Sequence, residues 1–130
     1  MSGSPFVRGR SAEQAAQAAL TAAGFTVIES NFRVRGAEVD VVCRDDVGLA
    51  FVEVRARGTG DVEPSSTILV PKFRTMLRGA RAWLTRHRSA DAPWRFVVVS
   101  VLLDPGGRPV STEIIEDPFA HLPEFHRGDP

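Results

Sequence analysis

The sequence predicts one α/β domain whose elements follow in the order αβββαβ, with a further strand after them. Three observations carry this. Apolar side chains recur at helical spacing near residues 12–23 and 71–84; the stretch from Arg35 to Arg57 alternates with period two on both sides of a polar turn; and Trp94 to Leu103 is a nearly unbroken apolar run, as in a strand buried on both faces. At 130 residues the chain can bury one real core but not two.

Met1 to Arg10 contains Gly3, Pro5 and Gly9 without periodicity, so residues 1–10 are expected to be a flexible terminus. Ser11 followed by Gln14 is a capping-box pattern, and the alanine run closed by Gly24 predicts a helix from Ala12 to Ala23. Its packed face is Ala12, Ala16, Ala19, Leu20 and Ala23; Gln14, Gln17 and Thr21 face water, and Glu13 falls on the border. Phe25 to Arg33 is β-branched and aromatic enough for a strand, with Asn31 and Gly36 marking irregular backbone. A four-residue turn of Asp45, Asp46, Val47 and Gly48 would set Arg44 opposite Leu49, and hence Asp40 opposite Glu53 and Glu38 opposite Arg55.

Gly58 to Ser66 reads as a mobile loop beside the strand that carries Glu53, a usual place for a segment that contacts substrate. Pro71 suits the first turn of a second helix, whose core residues are Phe73, Met76, Leu77, Ala80, Trp83 and Leu84. Trp94 to Leu103 is expected inside the sheet. Asp104 to Arg108 then forms a turn and Pro109 to Ile115 a strand, while Asp117-Pro118 caps a short final helix through Phe119 and Ala120. The domain spans residues 11–121, and 122–130 form a flexible tail.

Sixteen basic and sixteen acidic residues cancel, which argues against coating nucleic acid by bulk charge but permits a local basic patch. Lys72, Arg74, Arg78, Arg81, Arg86 and Arg88 lie between Thr67 and Ala90 without an acid among them. Arg74, Arg78 and Arg81 project from the side of the second helix opposite its apolar stripe, as either a solvated face or one that meets phosphate, whereas Lys72 lies at the flank of that stripe. No apolar run reaches transmembrane length and no secretory leader is present, so a cytoplasmic protein is expected. Cys43 is the single cysteine and lies among valines, which suits a buried, inert thiol. His87, His121 and His126 lack metal-ligand spacing, Gly58-Thr59-Gly60 lacks the features of a phosphate-binding loop, and no nucleophilic triad stands out.

The chemistry concentrates in the hairpin. Like charges directly across antiparallel strands destabilise a sheet, so Asp40 beside Glu53 calls for a shared proton, a cationic neighbour or a bound metal. Arg55, two residues from Glu53 on the same face, is one such neighbour. A hard divalent cation such as Mg²⁺ fits carboxylate oxygens best, with phosphate and water completing its shell.

In these positions the sequence resembles the YraN family, small bacterial proteins related to PD-(D/E)XK nucleases and to archaeal Holliday-junction resolvases. The resemblance runs from about Arg10 to Ala120. The family's early Glu-x-x-Ala is matched by Glu13 to Ala16, its Gly-Glu-Ile-Asp by Ala37-Glu38-Val39-Asp40, its Phe-Val-Glu-Val-Lys by Phe51 to Arg55, and its later helix lysine by Lys72. Two positions depart from the pattern: Arg55 replaces the lysine, and Val97 stands where the family often has aspartate.

The resemblance implies a restriction-endonuclease-like αβββαβ core with a mixed central sheet flanked by helices. It also implies an endonuclease dependent on Mg²⁺ or Mn²⁺ that hydrolyses phosphodiesters in branched or structured DNA. Asp40, Glu53 and the Val54 carbonyl would hold the ion, Glu13 would hold water beside it, Arg55 would contact the scissile phosphate and Lys72 would assist. Lys72, Arg74, Arg78 and Arg81 would meet the nucleic acid. Resolvases of this fold act as dimers, so a homodimer is expected and a membrane partner is not. A catalytically decayed module that binds nucleic acid or a protein partner is the alternative.

Overall fold

The computed structural model describes residues 5–59 and 70–119, with side chains for 10–59 and 72–119. The elements are α1 (Pro5–Ala22), β1 (Thr26–Val34), β2 (Ala37–Arg44), β3 (Leu49–Gly58), α2 (Val70–Arg86), β4 (Trp94–Leu103) and β5 (Pro109–Glu116). The five strands form one sheet in sequence order, antiparallel except for the β3/β4 pair, which α2 connects in parallel. The mixed sheet flanked by helices is the αβββαβ arrangement expected, and β5 extends it. Among the described residues no helix is long and apolar enough to cross a membrane.

Each face of the sheet has its own core. On the α1 side, Ala12, Ala16 and Leu20 pack on Val41, Cys43, Ala50, Val52, Val97, Val99 and Val101. Small alanines against β-branched valines let this helix lie close to the strands. On the α2 side, Phe73, Met76, Ala80, Trp83 and Leu84 meet Val42, Phe51, Phe96 and Val98. This layer is aromatic, with edge-to-face contacts of Phe51 with Trp83 and Trp94 at 5.8 and 5.6 Å between centroids and of Phe73 with Phe119 at 4.8 Å.

The helix α1 begins at Pro5, before the expected Ser11 cap, because proline is well suited to a first helical turn and a single Gly9 costs only about 1 kcal/mol there. Residues 5–10, expected to lie in a flexible terminus, are therefore helical, and residues 1–4 lie outside the described residues. The helix ends as expected at Gly24, which takes φ +100° while the Phe25 amide donates to the Leu20 carbonyl at 3.0 Å. Ala23, expected on the packed face, is exposed, since it lies beyond the last helical residue. After β5, residues 117–119 make a bend and turn; the rest of the expected final helix, the tail and the loop from Gly60 onward lie outside the described residues.

The β2/β3 register is the one read from the turn: Arg44 pairs with Leu49, Cys43 with Ala50, Val42 with Phe51 and Val41 with Val52. Asp45 fixes the turn by accepting the Val47 amide at 3.0 Å and the Gly48 amide at 3.3 Å. Arg95 on β4 then clamps Asp45 at 2.7 Å and Glu116 on β5 at 3.1 Å, tying turn, fourth strand and fifth strand together. At Gly48 the backbone has φ +151°, and a Cβ there would run into the Pro93 carbonyl, which accepts the Leu49 amide. Gly48→Ala should therefore lower stability by about 2–4 kcal/mol, which urea unfolding monitored by tryptophan fluorescence would measure; a change under about 0.5 kcal/mol would contradict this packing.

Candidate functional site

Alternation along β3 puts Phe51, Glu53, Arg55 and Arg57 on the α2 face, so that face passes from aromatic to charged within a few residues. The change coincides with the end of the β2/β3 ladder at Val41 and Val52. Just beyond it, strict alternation fails in β2, since Val39 and Val42 both belong to the α2-side core while Val41 belongs to the other. Asp40 lies at this break. Its Oδ2 accepts the Val54 amide at 2.7 Å, so a side chain takes the place of the next backbone partner.

Asp40 and Glu53 meet there, close enough for their carboxyls to share a proton. Burial, reinforced by the charge of Glu53, pushes the Asp40 pKa up to about 7, against the lowering effect of the Val54 amide. Of the three ways to accommodate paired carboxylates, a shared proton is thus available near neutral pH. A cationic neighbour is present as well: Lys72 Nζ, delivered by the first turn of α2, lies 2.9 Å from Glu53 Oε2. Burial opposes the charge on Lys72, but the bond to Glu53 and the fields of Glu53, Asp40 and Glu38 outweigh it and raise its pKa. Lys72 stays protonated at neutral pH.

The approach of α2 to this site depends on Gly79. A Cβ there would lie 2.9 Å from Val39 Cγ2 and 3.4 Å from the Glu38 carbonyl, so only glycine lets the helix press on β2 beside Asp40. Arg78 reinforces the contact by donating to the Gly36 carbonyl at the β1/β2 turn, at 3.2 Å.

Glu13 is tied to β1. Its Oε2 accepts the Asn31 side-chain amide at 3.5 Å, and Asn31 falls opposite Asp40 in the β1/β2 register, between the pairs Ser30–Val41 and Phe32–Val39. Asn31 has φ 57°, a left-handed conformation that asparagine tolerates better than most residues. Glu13 is still not part of a three-ligand cluster: among the described residues no group of three or more His, Cys, Asp or Glu side chains is placed to hold a metal ion.

The strand pairing does not extend to Glu38 and Arg55; Glu38 forms an ion pair with Arg33 of β1 at 3.2 Å. Arg55 pairs in register with Ser100 of β4, which in turn faces Glu113 of β5. Of the helix arginines, Arg74, Arg78 and Arg81 are all exposed, but Arg78 is engaged at Gly36 and Arg81 borders an apolar cleft with Trp94 and Phe119. Cys43 is fully buried and burial pushes its thiol up to about 12, which makes it a poor nucleophile. His87 stacks on Trp83 and lies 3.7 Å from Glu29, away from the carboxylate pair.

Sequence reasoning separated Lys72 from the arginine stripe but missed its pairing with Glu53. A usable signal was its being the one lysine among sixteen basic residues. Asn31 was recognised as irregular backbone and not as the link from Glu13 to the residue across from Asp40.

The signature of the family described as Uncharacterised protein family UPF0102 matches residues 12–101. A UPF0102 protein of Desulforapulum autotrophicum is 43% identical over 94 residues, covering 72% of this chain and 78% of its own. One from Nocardia farcinica is 40% identical over 106 residues, covering 78% and 81%, and one from an Anaeromyxobacter species is 39% identical over 101 residues, covering 77% and 76%. The matched region runs from the first buried turn of α1 into β4 and includes Glu13, Asp40, Glu53, Arg55 and Lys72. The chain belongs to the UPF0102 family, the YraN family that its motifs resemble.

Proposed function

We propose that the protein is a metal-dependent endonuclease acting on branched or structured DNA, in the manner of a Holliday-junction resolvase. The observation that carries this reading is the Asp40/Glu53 pair, held together at the end of a strand ladder with Lys72 against it. A carboxyl whose pKa is about 7 can give up its proton to a cation at little cost near neutral pH. The donor set also fits. Backbone N–H and C=O of one strand residue point to the same edge, so the Val54 carbonyl shares with its amide the side of β3 where β2 has parted from it.

Asp40, Glu53 and the Val54 carbonyl would hold Mg²⁺ or Mn²⁺, which when bound polarises a phosphoryl oxygen and acidifies water. Around them, each side chain has a task its chemistry allows. Lys72, protonated and partly desolvated, steadies the negative charge that develops during displacement. Arg55 remains charged at any working pH and grips the scissile phosphate as a fork, although it cannot act as a base. Glu13, anchored through Asn31, orients water from the border. A two-fold junction calls for two copies, so the active unit is a homodimer.

The second reading, a decayed module that binds without cutting, draws on a different observation: Lys72 already neutralises Glu53, and the described carboxylates form a pair and not a triplet. Incubation with junction, flap and linear DNA in Mg²⁺ or Mn²⁺ separates the two. The nuclease reading expects cleavage by the parent, at least a hundredfold loss in Asp40→Asn and roughly a hundredfold loss in Lys72→Met. A parent that neither cuts nor gains thermal stability from saturating Mn²⁺ would sink it.

Asp40 also gives a pH test. Its folded-state pKa of about 7 exceeds the ordinary 3.8, so between these values the native state holds more of its proton than the unfolded chain does. The stability it contributes is complete below pH 4 and lost as pH rises through 7. In metal-free buffer, Asp40→Asn should therefore gain on the parent by several degrees in Tm as pH goes from 4 to 7.5. A constant difference across that range would show that Asp40 titrates normally. For the basic face, replacing Arg74, Arg78 and Arg81 together with alanine should make the salt dependence of DNA binding shallower by about 2–3 in log–log slope, measured by fluorescence anisotropy. An unchanged slope would remove α2 from the interface.

A further inference from the structure

Arg57 takes no part in the chemistry assigned so far, yet it stands on β3 four residues beyond Glu53 on the same face. Its Nε is buried without a hydrogen-bond partner, the one such side-chain atom among the described residues. A guanidinium is charged at every accessible pH, so a buried donor left unmade is costly and calls for an acceptor. Among the described residues its own row of the sheet does not supply one. Arg57 pairs in register with Leu102, which faces Ser111, whereas the preceding row runs from Arg55 through Ser100 to Glu113 and contains a carboxylate. Other basic residues have partners: Arg33 has Glu38, Lys72 has Glu53, and Arg95 has Asp45 and Glu116.

We propose that Arg57, half-buried in the free protein, swings its guanidinium outward to bind a nucleic-acid phosphate flanking the one at the Asp40/Glu53 pair, using Nε and a terminal nitrogen as a fork. This rests on the nuclease reading. Two residues of strand span about 6.5–7 Å, so Glu53, Arg55 and Arg57 form steps along which a strand backbone can lie: the ion-binding pair first, the clamp on the reacting phosphate next, and a holder for its neighbour beyond. A guanidinium matches a phosphate in geometry and charge, and the missing hydrogen bond at Nε is the one such a phosphate makes. Arg57 is thus a binding residue that sets where the strand lies.

The test uses the Asp40→Asn protein as a common background, which the nuclease reading expects not to cut, and DNA junctions that each carry one neutral methylphosphonate in place of a phosphate. Adding Arg57→Ala should weaken binding of unmodified junction by roughly tenfold or more and make the salt slope shallower by about 1. At one position the methylphosphonate should weaken the Arg57 protein about as much and the Arg57→Ala protein not at all. Arg57→Lys, which keeps the charge without the fork, should recover the salt slope with only part of the affinity. Arg57→Gln serves for the position scan if the alanine variant does not fold. Penalties that add at every position, or equal affinity of the Arg57 variants and their background, would overturn the assignment while leaving the nuclease reading intact if the parent cuts. A parent that neither binds nor cuts these junctions overturns both.

Discussion

The site depends on where β2 and β3 stop pairing. Up to Val41 and Val52 the two strands form an ordinary ladder, and one step further the Asp40 carboxylate has replaced a backbone acceptor. That replacement brings Asp40 against Glu53, because a side chain anchored on the Val54 amide lies beside its neighbour's side chain. The register that permits it is set far away, at the Asp45–Gly48 turn. A slip of one residue would turn Asp40 to the α1 face, and several devices prevent it: the Asp45 cap, the Arg95 clamp and the tight contact of Gly48 with Pro93. Interactions with no chemical role thus hold the carboxylates in place.

The second helix completes the site for a related reason. Its C-terminal half is locked into the aromatic layer by Trp83 and Leu84, and its middle is pressed onto β2 at Gly79. A helix fixed at these points is a rigid lever, and its first turn delivers Lys72 to Glu53. Core and site are continuous: the face that is Phe51 and Phe96 at one level is Glu53 and Val98 at the next. Polar groups gather where the apolar layer ends, and burial there is deep enough to shift Asp40.

Much of this was legible in the residues. The Asp-Asp-Val-Gly turn has a definite length, and counting back from it gives the register that the strands adopt, because antiparallel pairing leaves no freedom once the turn is set. The Trp94–Leu103 run revealed a strand covered on both faces. What the sequence did not disclose were contacts between distant elements. The partnership of Lys72 with Glu53 depends on the depth to which α2 sinks onto the sheet, and that depth depends on one glycine whose meaning in a helix is ambiguous without its neighbour. The early start of α1 was missed because Ser11 and Gln14 form a good cap pattern, and a pattern does not reveal that the chain before it is already helical.

The charges explain how the site is stable without an ion. Without an ion, burial and the charge of Glu53 hold the proton on Asp40 well above the usual carboxylate range and Lys72 balances Glu53, so two carboxylates coexist in a partly buried place without severe repulsion. Under the proposed reading a divalent cation would displace that proton and draw both carboxylates to itself, leaving the positive charge of Lys72 no longer matched by Glu53. A phosphodiester brings the negative charge this loaded state lacks. Ion and substrate would then favour each other's binding, with the proton on Asp40 opposing both. Under that reading the arginine at position 55 would strengthen the coupling, because a guanidinium keeps its charge where an ammonium could lose a proton.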